Sequence, residues 1–588
     1  MRIIHWSLWF AILGYSFAAV ASPIPTAEPI SNLEQSQQLA QNSDALSNPV
    51  PRDPIPAPPL PETPLSPLPP PEELLPLPET PPPPSPNPDI PETIFIQRFE
   101  IVGNTAFSSE ELLAELKKQG LVGRELSFAE LIQARSVITQ YYVARGYVTS
   151  GALIPPQAIR DGVAQIQVIE GSLETINVEG NRRLNPGYIR SRLAIAGSTP
   201  LNINRLLEGL QLLQINPLIE SISAELQSGI RPGSSVLQVQ VAEADSFNTT
   251  VSLNNNRAPS VGSFQRRVQL AEGNLLGLGD SIGLQYSNTD GSNEINGTYS
   301  LPINPRNGAV QFAFGTSWNR VIEPPFDELE IESNSRYYEL TLRQPLYQSP
   351  NEELVIGLTA SRQESQTELG INDIGRYRLL PGADQQGRTR ISALRLSQEW
   401  TERSSWHVFA ARSQFNLGLD LLDATINENA PDSRFLSWRG QAQWVRLVAR
   451  DTLLLIRGNV QLSDSPLVPV EQFGLGGQET VRGYRQDTLL TDNGALLSAE
   501  VRVPIVRVPE LQGVLQVVPF VDVGTGWNSE GTDPDPNTLV GAGLGLAWQQ
   551  GDNLSIRVDW GIPIVSVESG DRTLQENGLY FSVVYTPL

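Results

Sequence analysis

The side chains able to do covalent or metal chemistry are few. The 588-residue chain has no cysteine and two histidines, His5 and His407. Thiolate nucleophiles, disulfides and Cys-ligated metals are therefore absent. A zinc site built on several His ligands is excluded as well. GDSIG (residues 279–283) has the form of a hydrolase nucleophile elbow, which needs a strand-turn-helix and a His base. Here Ser281 is followed by the alternating Ile282, Leu284 and Tyr286, and His407 is the only base available. The glycines of GAGLGLA (residues 541–547) recur at every second residue. That spacing suits small side chains on one strand face better than a dinucleotide fingerprint. No phosphate-binding G-x-x-x-x-G-K-[ST] occurs. The expectation is a protein that is no enzyme, with no cofactor and no metal. The net charge of -23 argues against nucleic acid as a partner.

One guanidinium stands out instead. GGQETVRGYRQDT (residues 476–488) is a glycine-rich polar loop that carries Val481, Arg482, Gly483 and Tyr484. Arginine stays charged and binds a carboxylate through two parallel donors. FVDVGTGW (residues 520–527) offers such an acid, Asp522, among apolar neighbours, with Phe520 and Gly524 beside it.

Three kinds of segment must position these groups. Arg2, an apolar run to Val20 and the pattern Ala19-Val20-Ala21 read as an export signal, residues 1–21. Residues 22–92 form a linker. SNLEQSQQLAQNSDALS (31–47) suits a short helix, and from Pro49 the proline density predicts free polyproline II. Residues 93–171 and 172–245 repeat one order, β-α-α-β-β. FEIVGNTAF and INVEGNRRL each run a short strand into a Gly-Asn turn, followed by capped helices. In the second helix of the first copy, Leu131, Ala134, Val137, Ile138 and Tyr141 share a face.

From residue 246 to 588 the helical period gives way to strict alternation. In LSWRGQAQW, Leu436, Trp438, Gly440, Ala442 and Trp444 oppose Ser437, Arg439, Gln441 and Gln443. In NLSIRVDWG, Arg557 and Asp559 oppose Leu554, Ile556, Val558 and Trp560, and near the C-terminus Tyr580 opposes Leu579 and Phe581. No run of about 20 apolar residues follows the signal, so a membrane would be crossed by strands. Counting gives sixteen of them, the first near Phe247 and the last near Asn577. In lipid such a sheet must close. The fold class is mainly β: a C-terminal 16-stranded antiparallel transmembrane barrel behind two β-α-α-β-β units. On this count the VRGY loop, residues 464–493, follows the eleventh strand, and Asp522 lies on the thirteenth.

With these motifs in this order, the chain resembles the outer-membrane two-partner secretion transporters. These are the haemolysin secretion/activation class of the superfamily that joins polypeptide-transport-associated (POTRA) domains to a barrel. The resemblance implies two POTRA domains in the periplasm of a Gram-negative-type bacterium. It implies that the loop folds back into the lumen as a lid, with Arg482 paired to Asp522 on the wall. It implies that a secreted partner exoprotein is captured in extended form and exported without nucleotide hydrolysis. Strand addition at the edge near Ile219, Ile222, Ala224 and Leu226 would take such a chain. Outer-membrane lipid and the barrel-assembly machinery are the other expected partners. The chain ends Tyr585-Thr586-Pro587-Leu588, where such barrels often end in an aromatic residue; Tyr585 is expected to serve. A barrel-assembly factor of the same superfamily and a passive porin are the alternative readings.

Overall fold

A computed structural model describes residues 50–56, 59–64, 68–76, 93–567 and 572–587. The export signal and the helix expected before residue 49 lie outside the described residues.

The two units follow one plan. In the first, the strand Arg98–Val102 pairs in parallel with Val163–Ile169, which pairs antiparallel with Gly151–Leu153. In the second, Ser172–Glu179 pairs in parallel with Ser234–Glu243, which pairs antiparallel with Ile219–Ser228. The helices Ser109–Lys118 and Phe128–Val143 start at Ser108 and Ser127, each closing a capping box with a glutamate three residues on. The helices Pro186–Ala196 and Ile203–Gln214 start at Asn185 and Asn202. On Phe128–Val143 the fully buried row is Leu131, Ala134, Ile138 and Tyr142. The expected Val137 and Tyr141 pack part-buried against the same core, and Tyr142 joins the row because it continues the four-residue spacing from Ala134 and Ile138. The ribbon of Thr93–Ile96 with Arg124–Ser127 was not foreseen.

The repeat extends to single contacts. Asn104 donates to the Phe107 carbonyl at 2.9 Å, and Asn181 to the Leu184 carbonyl at 3.0 Å. Glu170, just past the last strand of the first unit, accepts the backbone N–H groups of Thr105 and Ala106 at 2.6 and 2.7 Å. Glu243 does the same in the second for Arg182, Arg183 and Leu184. Each turn exposes backbone donors, and a carboxylate at the end of the neighbouring strand satisfies them.

Sixteen antiparallel strands then close into a barrel. The last, Leu579–Tyr585, pairs with the first, Phe247–Asn254, from Ser582↔Asn254 to Tyr585↔Val251. On the tenth strand, Leu436–Ala449, Leu436 and Ala442 are exposed outward while Ser437 and Gln443 are buried inward. Leu340, Leu342, Val521, Val523 and Trp560 likewise face outward. Ser281 begins the third strand, Ser281–Asn288, which no helix follows. His407 begins the ninth and shares a hydrogen bond of 2.7 Å with Ser404.

The second unit is fastened to the barrel at the end that carries the short turns. The Asn185 N–H donates to the Gly277 carbonyl at 2.8 Å, and Arg183 and Arg192 reach Glu272 and Asn307 at 2.8 Å each. The linker departs from the expected free polyproline rod, because its few polar side chains find partners inside the barrel. Arg52 binds Asp487. Asp53 accepts from Ser317, Asn319, Ser335 and Arg257. Glu62 accepts from Arg457 and Arg502. Further along, Pro71–Leu74 makes one helical turn despite the proline density. Pro71 occupies the first helical position, where its missing N–H breaks no bond.

Candidate functional site

The connection between the eleventh strand, Thr452–Ser463, and the twelfth, Asn493–Val508, does not stay outside the barrel. A short hairpin, Phe473–Leu475 with Leu489–Thr491, carries its tip inward. Phe473, Leu475, Val481, Tyr484 and Leu489 bury together with the wall residues Leu496 and Leu539.

At the tip, Arg482 is 3% exposed and Asp522 is fully buried. Arg482 Nε and Nη2 donate to the two oxygens of Asp522 at 2.7 and 2.8 Å, and the Arg482 backbone N–H adds a third bond at 3.1 Å. Nη1 donates to Glu500 at 2.9 Å. The guanidinium carbon lies 3.5 Å from the centre of the Phe520 ring, a cation-π contact. Ser498 Oγ donates to Asp522 at 2.7 Å. Behind this pair, Arg557 donates to Glu500 at 2.8 and 3.2 Å and to Asp559 at 2.7 Å, while Arg502 donates to Glu500 at 2.8 Å. Three guanidiniums (482, 502, 557) thus face three carboxylates (500, 522, 559). Balance of this kind lets charges stay buried. Removing one partner of a buried pair leaves an uncompensated charge and typically costs about 3–5 kcal/mol.

Glycine makes the close approach feasible. Gly483 has φ +107°, and a Cβ there would stand 2.9 Å from the Pro563 nitrogen. On the fourteenth strand, Thr538–Gln550, a Cβ at Gly541 would lie 1.9 Å from the Arg482 carbonyl oxygen. The alternating glycines of GAGLGLA begin with this seat for the loop. Gly524 of the thirteenth strand, Gly513–Trp527, lies beneath Leu475 and Val481. Tyr580 accepts from the Gly483 N–H at 2.9 Å and donates to the Tyr484 carbonyl at 2.6 Å. The Tyr484 hydroxyl sits between the Val540 and Val565 carbonyls at 2.8 and 2.9 Å. Arg485, one residue on, pairs with Glu323 and Glu576 of two other loops.

The residues expected at the lid therefore converge: Val481, Arg482, Gly483 and Tyr484 from the loop meet Phe520, Asp522 and Gly524 from the wall. Sequence reasoning missed Glu500, Ser498 and Gly541. It placed Arg557, Asp559 and Tyr580 on the second face of their strands but gave them no role. The tentative partner site behaves differently. The side chains of Ile219, Ile222, Ala224 and Leu226 point into the core of the second unit. They are not available to a ligand, because alternation turns every second residue of this strand inward. What Ile219–Ser228 does offer is backbone, since it is the edge of its sheet.

Comparison with known proteins agrees with this architecture. The family model described as haemolysin secretion/activation protein ShlB/FhaC/HecB matches residues 233–548, and that of the ShlB-type POTRA domain matches residues 94–171. The outer membrane transporter CdiB of Escherichia coli O6:K15:H31 (strain 536 / UPEC) is 25% identical over 488 residues, 80% of this chain and 79% of that one. The heme/hemopexin transporter protein HuxB of Haemophilus influenzae (strain 86-028NP) is 23% identical over 499 residues, 80% of this chain and 83% of that one. The solved structure of CdiB from Escherichia coli superposes with a TM-score of 0.65 at 22% identity, covering 87% of this chain and 93% of that chain.

Proposed function

The chain belongs to the haemolysin secretion/activation family described as ShlB/FhaC/HecB, and from that premise we propose that the lid latched by Arg482 gates its pore. The protein is an outer-membrane β-barrel transporter with its POTRA domains in the periplasm, and it exports a partner exoprotein. The finer account is that the partner passes through the lumen as an extended chain or hairpin. A sixteen-strand lumen is too narrow for a folded domain, and here it already holds a loop and a linker. Movement is driven by folding outside and needs neither nucleotide nor cofactor. Lipid covers the apolar outer face, the barrel-assembly machinery inserts the barrel, and nucleic acid plays no part.

The observation that carries this reading is the charge-balanced seat of Arg482. It uses groups from the loop and from the twelfth, thirteenth and fifteenth strands, so the loop has one defined closed position inside the pore. Arg482→Ala and Asp522→Ala are expected to abolish partner secretion, and the cost of about 3–5 kcal/mol for a broken buried pair should shift the lid out of its closed seat by roughly 100-fold or more. Heat-modifiable mobility on gels should show that both barrels are still inserted. Normal export by both variants would remove the latch. Depletion of the protein should abolish secretion of one partner, whereas general loss of outer-membrane barrels would instead point to an assembly factor.

A further inference from the structure

We propose that Leu74 and Leu75 of the chain's own linker plug the trough between the helix Ile203–Gln214 and the edge strand Ile219–Ser228, and that the partner's extended segment must displace them before it can add to that edge. This rests on the export reading above.

Leu74 is 1% exposed and Leu75 is 4% exposed, both within the apolar core of the second unit. They lie against the helix that carries Leu206, Leu210 and Leu213 and the strand that carries Ile219 and Ile222. The first unit, built on the same plan, closes its core without any linker residue among those described. The fold of such a unit therefore does not demand the two leucines, and they are guests in the second. The strand beside them is a sheet edge, and among the described residues its open side is held by a single side chain. Gln214 accepts from the Ile222 N–H at 3.1 Å and donates to the Glu220 carbonyl at 3.1 Å. An incoming strand can replace that one side-chain amide.

The linker is a weak occupant by construction. Pro69, Pro70, Pro71 and Pro76 surround its two leucines. Proline cannot donate to a ladder, so this guest contributes side chains and a single helical turn. A proline-free extended segment with apolar side chains on one face offers the same side-chain contacts and adds backbone hydrogen bonds to the edge. It should displace the linker. The chemistry of the partner follows: an alternating apolar strand, free of proline over the bound stretch.

Displacement would be felt in the pore, because the same linker is pinned there. Asp53 is held by Ser317, Asn319 and Ser335, and Glu62 by Arg457 and Arg502. Seating of the leucines therefore anchors the periplasmic end of a strap that lies along the lumen.

The test uses the full-length protein in detergent. It has no native cysteine, so single cysteines can be introduced as Leu74→Cys, as Glu73→Cys at an exposed neighbour, and as Leu60→Cys beside the lumenal Pro61. The probe is a proline-free peptide of alternating leucine and threonine, capped with lysines. Without the probe, a thiol at 74 should react with maleimide at least about ten-fold more slowly than one at 73. With saturating probe, position 74 should approach the rate of position 73, and position 60 should accelerate. The same peptide with threonine in place of every leucine should change neither. Fast labelling of position 74 without probe, continued protection at saturating probe, or no change at position 60 would each overturn the proposal. In cells, Leu74→Glu with Leu75→Glu should make the outer membrane permeable to vancomycin, and an unchanged barrier would count against the strap. Should the wild type secrete no partner, the export reading fails, while the labelling result still decides the seat.

Discussion

Lysine at position 482 would keep the charge and lose the latch. Two of the three bonds to Asp522 come from the flat fork of the guanidinium, and a third guanidinium nitrogen reaches Glu500. An ammonium can satisfy one carboxylate well, not both in this geometry. Arg482→Lys is expected to lower secretion by about ten-fold or more, since a hydrogen bond to a charged group contributes about 1.5–3 kcal/mol. Gly541→Val is expected to act like Arg482→Ala although it touches no charge, because its side chain would occupy the space of the Arg482 carbonyl. Secretion assays with heat-modifiability controls check both, and normal export by Gly541→Val would refute the seat on the fourteenth strand. The pair itself was reached through the resemblance, which joins a loop arginine to an apolar-flanked aspartate at these two places in the strand order. Glu500 was not, because nothing local distinguishes it from other inward-facing polar residues. Its role depends on the register Glu500↔Phe520, which sets it two residues along from the Ser498↔Asp522 pair.

At the scale of elements, the repeated carboxylate makes the paired units sensitive to acid. Burial pushes the Glu170 carboxyl up, but the Ala106 and Thr105 N–H groups and the Thr105 and Tyr142 hydroxyls outweigh it and hold it below its ordinary value. Glu243 is held low in the same way by the N–H groups of Leu184, Arg182 and Arg183. A carboxyl held low in the folded state adds stability above its unfolded pKa and loses it as pH falls through the folded value. Glu170→Gln should therefore lower the melting temperature of the first unit at neutral pH, with the gap to wild type closing as pH drops below about 4. Scanning calorimetry of the whole protein at several pH values reads this directly; a gap independent of pH would mean that the charge contributes nothing. The strand and helix order of both units could be read from alternation, caps and Gly-Asn turns. The linker could not. Proline content describes what a free segment prefers, and only the assembled barrel supplies the arginines and serines that bind Asp53 and Glu62.

At the scale of the molecule, the barrel was the most legible feature, because a closed sheet between lipid and water imposes one alternation on sixteen strands. The contents of its lumen were the least legible. The resemblance led to the folded-in loop, but the linker strap and the seat of Leu74 and Leu75 arise from contacts between residues more than a hundred positions apart. On the proposed reading they make a pore that is built open and held shut by its own chain. That makes the route of the partner the central claim. The most direct test places a photo-crosslinking residue at Gln441 or at Ala442, adjacent positions on the tenth strand that face the lumen and the lipid respectively, and irradiates cells during secretion. The account predicts partner crosslinks from position 441 and none from position 442. Crosslinks from 442 alone, or from neither position while the partner is still secreted, would contradict passage through the lumen.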